Sequence, residues 1–487
     1  MNTRENHKEN RDSRPENRHA VVLGGSLAGL LAARVLSDHF EHVTLIERDT
    51  YPETVEARRG IPQANHVHAL LLRGRQVLEE LFPGLQDEMI AAGAPEIDMA
   101  NDVAWFTRAG LGIKFQSGLR VLAFTRPMLD LHVRRHLDRN PRVEILDNTD
   151  VLRPLLNKGK NSLRGVLVCP RHSESDRIVA KELHADLIVD ATGRASRAPL
   201  WLTNLGYEAP EEVVIDAQLG YASRFYRIPP DFNGEYHNIF VQAAPPERKR
   251  GAFLMKVEGN RWLLTLIGGG GDYPPTDEAG FIEFARSLPI STIYEAVRHA
   301  EPLSSIKSHR ATQNRLRRFE RAKELPDNFL LLGDAVCAFN PVYGQGMTIA
   351  ALGVLTLQQC LREQEKLTSW RGFARRFQKR LAKVNKTPWM LATGEDYRYP
   401  EVAGGSPNLM NRFMHWYMDH VLELATRSVA VRSVLLRAFS MLVPPAVLFQ
   451  PRVLFRVVVQ VLKPARKQQV ARKQIGNKIL QHAEARD

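Results

Sequence analysis

A glycine turn between a short strand and a helix constrains the fold of this chain more than any other feature. Residues 19–24 form a buried strand pattern, and Leu27–Leu36 carries helical periodicity. Residues 43–47 supply a second strand, which completes a β-α-β unit. Such a unit begins a doubly wound α/β domain and places a pyrophosphate at the helix N-terminus. The expected binding residues are Gly24, Gly25, Ser26, Leu27, Ala28 and Gly29, together with Glu47, whose carboxylate can accept from a ribose hydroxyl.

This turn alone does not separate NAD from FAD, and the deciding motif lies about 300 residues later in the chain. There a buried strand at 328–333 ends in Asp334, and Pro341, Gly344 and Gly346 lead into a long helix. The aspartate can bond ribityl hydroxyls, and the glycines let backbone N–H groups approach an isoalloxazine ring. The helix dipole can stabilise negative charge on that ring. The pair of motifs therefore indicates FAD.

In this combination the chain resembles the FAD-dependent monooxygenases of the para-hydroxybenzoate hydroxylase type, from about residue 19 to about 400. Within that superfamily, the segments 59–68, 79–84 and 339–344 look like those of the bacterial polyether epoxidases, which epoxidise polyene chains. The resemblance implies an α/β fold: an FAD-binding Rossmann-like domain of the glutathione-reductase type, an inserted mainly β substrate domain and a C-terminal helical region.

The pattern of elements gives the expected domain boundaries. A helix is predicted from about 66 to 81 and another from 127 to about 139, and β-rich texture begins near Trp201. The resulting division is a disordered tail (1–18), FAD-binding segments (19–98, 120–200 and 311–362), substrate-domain segments (99–119 and 201–310) and the helical region (363–487).

The resemblance also implies further site residues. Arg126 resembles the family arginine that approaches the FAD phosphates, and Thr192 stands where aromatic hydroxylases carry an aspartate that contacts FAD and NADPH. The electron source therefore stays open between NADPH, NADH and a partner flavin reductase. The other expected cofactor-binding residues are Arg48, Arg59, His68, Val151, Gly193 and Met347, and the expected pocket walls are Tyr221, Phe225, Phe339 and Tyr343.

The implied activity is insertion of one oxygen atom from O₂, by epoxidation or hydroxylation through a flavin C4a-hydroperoxide. The expected substrate is lipophilic and polyketide- or terpenoid-like, and no side chain is assigned as a catalytic acid or base. The alternatives are a cyclase that keeps FAD as a structural element, a halogenase-like or reductase-like flavoprotein, and a binding flavoprotein without turnover. The tryptophan motifs of flavin halogenases and prenyl-lipid reductases do not occur in the sequence.

Composition limits the expected partners, cross-links and location of the protein. The net charge is +13, but no nucleic-acid motif accompanies it, so no nucleic-acid partner is expected. Three widely spaced cysteines support neither a disulfide framework nor a metal site. A polar N-terminus and the lack of a 20-residue apolar run favour a cytoplasmic protein. Residues 429–466 mix apolar and basic side chains, which is typical either of packing over the flavin domain or of a weak peripheral membrane contact.

Overall fold

The computed structural model describes residues 18–159, 161–171, 180–367 and 369–462. The predicted N-terminal tail lies outside the described residues except for Arg18. The α-helices are α1 Leu27–Leu36, α2 Leu72–Leu81, α3 Leu85–Ala91, α4 Arg126–Asp138, α5 Ala198–Asn204, α6 Glu278–Arg286, α7 Thr292–Val297, α8 Gly346–Gln364, α9 Phe373–Asp396, α10 Leu409–Ala425, α11 Val429–Phe439 and α12 Pro451–Val461. Short 3₁₀ turns lie at Pro62–Asn65, Gly193–Ala195, Phe319–Arg321, Gly333–Ala335, Pro341–Tyr343 and Pro445–Phe449.

The β-strands are two to eight residues long. They are β1 His19–Leu23, β2 His42–Ile46, β3 Glu96–Asp98, β4 Val103–Thr107, β5 Gly110–Leu111, β6 Arg120–Leu122, β7 Val143–Leu146, β8 Thr149–Leu156, β9 Leu163–Pro170, β10 Lys181–His184, β11 Leu187–Asp190, β12 Glu212–Ile215, β13 Gly220–Arg227, β14 Asn238–Val241, β15 Arg250–Val257, β16 Arg261–Gly268, β17 Lys307–His309, β18 Asn314–Arg317, β19 Phe329–Leu331 and β20 Cys337–Ala338.

A parallel sheet with strand order β19-β11-β1-β2-β7 forms the centre of the part of the chain that contains the glycine turn. We call this part the cofactor-type domain. Strands β1, β11 and β19 are almost entirely apolar because other elements cover them. Helix α1 packs on β1, β2 and β11, helix α4 on β7 and helix α9 on β19, and the small antiparallel sheet of β8, β9 and β10 contacts β2 and β11. The carboxyl ends of these strands meet at one edge, which is where ligands bind in open α/β sheets. The segments after β1, β2, β11 and β19 therefore lie side by side, and backbone bonds from Gly24 to Ile46 (2.8 Å) and from Leu332 to Asp190 (2.9 Å) fix their register.

A second sheet, β17-β13-β16-β15-β14-β4-β5, has two faces of different character. Its outer face packs against α6 and α7 through Ala222, Leu264 and Trp262. Its inner face carries Tyr221, Ser223 and Phe225 on β13, which alternate with the outward residues because successive side chains of a strand point to opposite sides. The inner face looks toward the cofactor-type domain, as the hydrogen bond from Val67 N to Thr265 Oγ1 shows (2.9 Å).

The helical region after α8 consists of α9 and a small bundle of α10, α11 and α12 with its own apolar core around Tyr417 and Val421. The predicted helical texture beyond residue 361 is therefore confirmed as far as Leu462, and residues 463–487 lie outside the described residues. Cys169, Cys337 and Cys360 are buried free thiols, so the structure pairs none of them. Within the described ranges, no helix is long and apolar enough to cross a bilayer.

One predicted element is wrong. The helix expected from 66 to 81 begins only at Leu72, and the residues before it run extended after the turn Pro62–Asn65. The backbone N–H groups of this extended segment find tertiary partners instead, because Val67 donates to Thr265 and Leu71 donates to Thr348 Oγ1 (3.2 Å). Apolar periodicity does not reveal such side-chain acceptors on distant elements.

Candidate functional site

The glycine turn after β1 is built for close backbone approach. Gly24 has φ +93°, a conformation open to glycine, and a Cβ there would lie 2.7 Å from the carbonyl oxygen of Ala191. A Cβ on Gly29 would overlap the carbonyl oxygen of Gly24. The turn therefore packs directly against the segment after β11, and α1 begins at Leu27 with its N-terminus at the ligand edge of the sheet.

Glu47 holds this turn from the end of β2. Its buried carboxylate accepts the N–H of Gly25 (2.7 Å) and the N–H of Asp49 (2.9 Å). The guanidinium of Arg58 lies 3.2 Å from the same carboxylate and donates to the carbonyl oxygen of Gly25 (2.9 Å). The Tyr51 hydroxyl donates to that carbonyl as well (2.6 Å). The carboxylate that was predicted to accept from a ribose hydroxyl thus holds the backbone of the glycine turn.

Arg58 is a site residue that the sequence reasoning missed. Arg48 and Arg59, which were predicted as cofactor-binding residues, are exposed in the structure, whereas Arg58 is buried and stacks 4.4 Å over the ring of Tyr51. A shallow cleft opens beside this pair, lined also by Ala64 and Pro127. The only sequence signal for Arg58 was that it directly precedes the predicted residue Arg59.

Arg126, at the start of α4, faces the turn from the other side. It is buried, pairs with Asp130 (2.8 Å) and donates to the Ser26 hydroxyl at the N-terminus of α1 (2.8 Å). The Ser26 side chain makes no capping bond to its own helix. A helix N-terminus and a guanidinium group therefore converge at Ser26, which is a donor set suited to a phosphate group.

The segment after β19 joins this arrangement. A Cβ on Gly333 would lie 2.9 Å from the Cβ of Ala28, and one on Gly193 would lie 3.9 Å from the Cβ of Asp334. Desolvation by the surrounding protein raises the pKa of the Asp334 carboxyl, and the charges of Arg194 and Arg126 oppose that rise. The structure thus brings together the two motifs that lie 300 residues apart in sequence.

Arg194 is the second missed residue of this region. Its guanidinium lies 3.8 Å from Asp334 and donates to the carbonyl oxygens of Gln313 (2.7 Å) and Phe339 (2.5 Å). Phe339, one of the predicted pocket walls, is buried in the core of the cofactor-type domain. Thr192, two residues before Arg194, donates a hydrogen bond from its hydroxyl to Asp190 (2.5 Å), and this bond closes the turn after β11.

The loop before α8 lies over the extended segment that follows Asn65. Gly344 has φ +63°, and a Cβ there would lie 3.1 Å from the Cβ of Ala69, whereas a Cβ on Gly346 would meet open space. Met347 is buried at the first turn of α8. His68 bonds the carbonyl oxygen of His66 (2.9 Å), and burial together with the charge of Arg126 lowers its pKa to about 4.

A chain of hydroxyl groups connects His66 to the inner face of the second sheet. His66 Nδ1 bonds Ser223 Oγ (2.7 Å), and Ser223 Oγ bonds Thr265 Oγ1 (2.6 Å). Burial, with the nearby imidazole groups of His309 and His68, lowers the pKa of His66 to about 3. Its buried Nε2 has no hydrogen-bond partner among the described residues, which leaves one polar atom available to a bound molecule.

Asp396, at the end of α9, fastens the loop before α8 from behind. Its fully buried carboxylate accepts from the Tyr343 hydroxyl (2.5 Å), from Asn314 Nδ2 (2.6 Å) and from Asn340 Nδ2 (3.3 Å). Asn340 in turn accepts from the Tyr221 hydroxyl (2.8 Å). Burial raises the pKa of Asp396 to about 7. No sequence motif pointed to this residue.

The inner face of the second sheet also carries His309 opposite Tyr221, and the Arg261 guanidinium lies 4.9 Å over the ring of Phe225. Apart from these side chains and from Ser223 and Thr265, the face is mostly apolar. Phe225 is half-buried there, and a row of aromatic rings continues from Phe253 to Phe240 (5.3 Å) and from Phe240 to Trp105 (6.1 Å). Val151, by contrast, lies half-buried on β8 in the small antiparallel sheet. Within the described ranges, no cluster of histidine, cysteine and carboxylate side chains could hold a metal ion.

Comparisons with known proteins agree with this architecture. No protein-family model matches the chain. It is 34% identical over 378 residues to Protein Rv3254 of Mycobacterium tuberculosis (strain ATCC 25618 / H37Rv), an alignment that covers 77% of this chain and 79% of that protein.

Many solved structures, including the following two, share the fold. The flavin-dependent brominase Bmp2 superposes with a TM-score of 0.63 at 14% identity, covering 91% of this chain and 98% of that one. PqsL, "a probable FAD-dependent monooxygenase from Pseudomonas aeruginosa", superposes with a TM-score of 0.59 at 16% identity, covering 78% and 97%. The predicted fold class is confirmed: a parallel α/β domain of the kind found in FAD-dependent enzymes, an inserted mainly β part and a helical C-terminal region.

Proposed function

We propose that this chain, which belongs to the family of Protein Rv3254 of Mycobacterium tuberculosis, is an FAD-dependent monooxygenase acting on a lipophilic substrate. The observation that carries the proposal is the convergence of Ser26, Arg126 and Asp334 between two helix N-termini. One of these helices is α1, and the other is α8, whose glycine loop faces the inner face of the second sheet. An elongated cofactor with a pyrophosphate in its middle and a flat ring at one end fits this arrangement.

The donor set fits FAD along its length. Gly25, Ser26 and Arg126 would hold the pyrophosphate, and Glu47 with Arg58 would hold the adenosine ribose. Asp334 would bond the ribityl chain. The predicted residues Pro341, Gly344 and Gly346 would lie beside the ring, where α8 directs its N-terminus, and there Gly346 leaves open space.

When bound, FAD would supply the chemistry that activates O₂ for transfer of one oxygen atom. The chain's own residues would bind, orient and exclude water. His66 would stay neutral because of its lowered pKa, so its free Nε2 could exchange a hydrogen bond without adding a positive charge. Asp396 would act as a positioning residue, since it holds Asn340 and Tyr343 rather than reaching the ring itself.

The inner face of the second sheet supports a lipophilic substrate. Phe225, Phe240 and Phe253 present aromatic surface there. The hydroxyl groups of Ser223 and Thr265 are already hydrogen-bonded to each other, and that of Ser223 is also bonded to His66. An apolar face with few charged groups favours a polyene, polyketide or terpenoid chain over a polar metabolite. Within this class we propose epoxidation or hydroxylation of a carbon–carbon double bond or an electron-rich ring, as in the polyether epoxidases that the chain resembles.

The source of electrons is part of the same proposal. Thr192 donates to Asp190 through both its backbone N–H (2.9 Å) and its hydroxyl, so both of its donors are used within the turn. We propose that the bound flavin is reduced either by NADPH or NADH directly or by a partner flavin reductase. An assay with and without added reductase separates these sources.

The test is an aerobic assay of the purified yellow protein with a panel of polyenes, with NADPH or NADH, and with or without an added flavin reductase. Mass spectrometry should find a product heavier by one oxygen atom, with consumption of O₂ and reductant that depends on substrate. A parallel reaction with bromide separates halogenation, which would add bromine instead. A cyclised product of unchanged mass would reject the proposal in favour of a cyclase that keeps FAD as a structural element.

A further inference from the structure

Helix α12 carries apolar side chains on two opposite sides. Val453, Val457 and Gln460 form the buried stripe that packs toward α10 and α11. The opposite side exposes six large apolar residues to solvent, with Phe455 69% exposed and Leu462 76% exposed; the others are Leu454, Val458, Val459 and Val461. We call this side the outer face of α12.

The outer face is a continuous stripe. At about 100° per residue, its side chains cover an arc of about 160° opposite the buried stripe. Arg452 and Arg456 lie at one border of that arc, and Arg456 is held there by a hydrogen bond to Ser428 Oγ (2.7 Å). An exposed apolar arc with a cationic border is typical of a helix that lies in a membrane interface.

A second exposed apolar group lies on the neighbouring helix. The N-terminal half of α10 exposes Leu409 (83%), Met410, Phe413 and Trp416. This half rests on the end of α9, where a ring nitrogen of His415 bonds the carbonyl oxygen of Gly394 (2.7 Å). The small helical bundle therefore presents more apolar surface than its own core requires.

Charge decides what kind of partner suits the outer face. Residues 451–487 contain nine lysines and arginines and two acidic residues, and the stretch 463–487, which lies outside the described residues, contributes most of this charge. A second copy of the chain would bring the same positive charge against it. An anionic bilayer offers both apolar depth and opposite charge.

We propose that the outer face of α12, together with the basic residues that follow it, docks this protein on an anionic lipid surface. The helix would lie in the interface rather than cross it. Its 11 residues span about 17 Å, against roughly 30 Å of hydrocarbon in a bilayer.

The test is flotation of the full-length, flavin-loaded protein with vesicles of equal parts phosphatidylglycerol and phosphatidylcholine, beside vesicles of phosphatidylcholine alone. The unmodified protein should float with the anionic vesicles. The double variant F455S/L462S should lose at least tenfold in apparent affinity, because both side chains are exposed and their apolar burial would occur only in the membrane. Leu200→Ser, at a residue 52% exposed on α5, is the matched control and should bind like the unmodified protein.

A charge arm completes the experiment. The triple variant K463Q/R466Q/K467Q should weaken binding by about fivefold for each charge removed, and the loss should shrink at high salt. Binding that F455S/L462S leaves unchanged would overturn the proposal. So would sedimentation showing a dimer that F455S/L462S dissociates, since a second copy would then cover the face. Vesicle binding needs no turnover, so its failure is distinct from failure of the proposed oxygenase activity.

Discussion

Asp396 gives the sharpest quantitative prediction, because the structure assigns it a direction of pH dependence. Burial raises its pKa from the ordinary value of 3.8 to about 7, against the opposing hydrogen bonds from Tyr343 and Asn340. The folded protein therefore holds a proton at Asp396 that the unfolded chain releases. The stability due to this group is fully present below pH 4 and is lost as the pH rises through 7.

The substitution Asp396→Asn removes this titration while keeping the shape of the side chain. Each unit of pKa difference corresponds to about 1.4 kcal/mol. Between pH 5 and pH 8, the free energy of unfolding of the unmodified protein should fall by about 3 kcal/mol because of the raised pKa, whereas that of the variant should not. For a chain of this length, that difference corresponds to about 3 °C in Tm. The Tm of the unmodified protein minus that of D396N should therefore fall by about 3 °C over this range.

The assay is differential scanning fluorimetry of both proteins in matched buffers, followed through flavin and tryptophan emission. Asp98→Asn is the matched control, because Asp98 is also buried but has a lowered pKa. Although burial opposes this lowering, hydrogen bonds from Ser117 and from the N–H groups of Ala100 and Gly118 produce it. The stability due to Asp98 is lost only in acid, so D98N should lower Tm by the same amount at every pH between 5 and 8. A constant difference between unmodified protein and D396N would refute the buried, proton-holding role of Asp396.

Three further predictions concern the cofactor site. Gly29→Ala should yield protein with little bound flavin by absorbance, because its Cβ would overlap the carbonyl oxygen of Gly24; Gly394→Ala, inside α9 with its nearest atom 3.8 Å away, should keep flavin and gain up to about 1 kcal/mol. Arg126→Lys should weaken FAD binding by about 10- to 100-fold in fluorescence titration, because an ammonium group does not replace the fork that meets Ser26. His66→Asn should change kcat by the same factor at every pH between about 5 and 9, because the pKa of His66 lies near 3. An ionisation within that range that appears in the pH profile of the unmodified protein and is missing in H66N would contradict this.

The sequence alone determined the parts of the site that depend on local backbone geometry. The turn at Gly24 and Gly29, the carboxylate at Glu47 and the loop of Gly344 and Gly346 were predicted because glycine conformations and strand ends leave short-range signals. The α/β class followed from the same periodicities, and helix α1 has the predicted bounds.

The tertiary structure alone decided which of two adjacent arginines enters the site, and it buries Arg58 while exposing Arg59. It also replaced the predicted start of α2 with an extended segment held by Thr265 and Thr348, which lie far away in sequence. Asp396 left no signal at all, since its partners Asn314, Asn340 and Tyr343 come from other elements. The physical reason is common to all three cases: burial and hydrogen-bond partners are set by contacts between distant segments, which local periodicity does not encode.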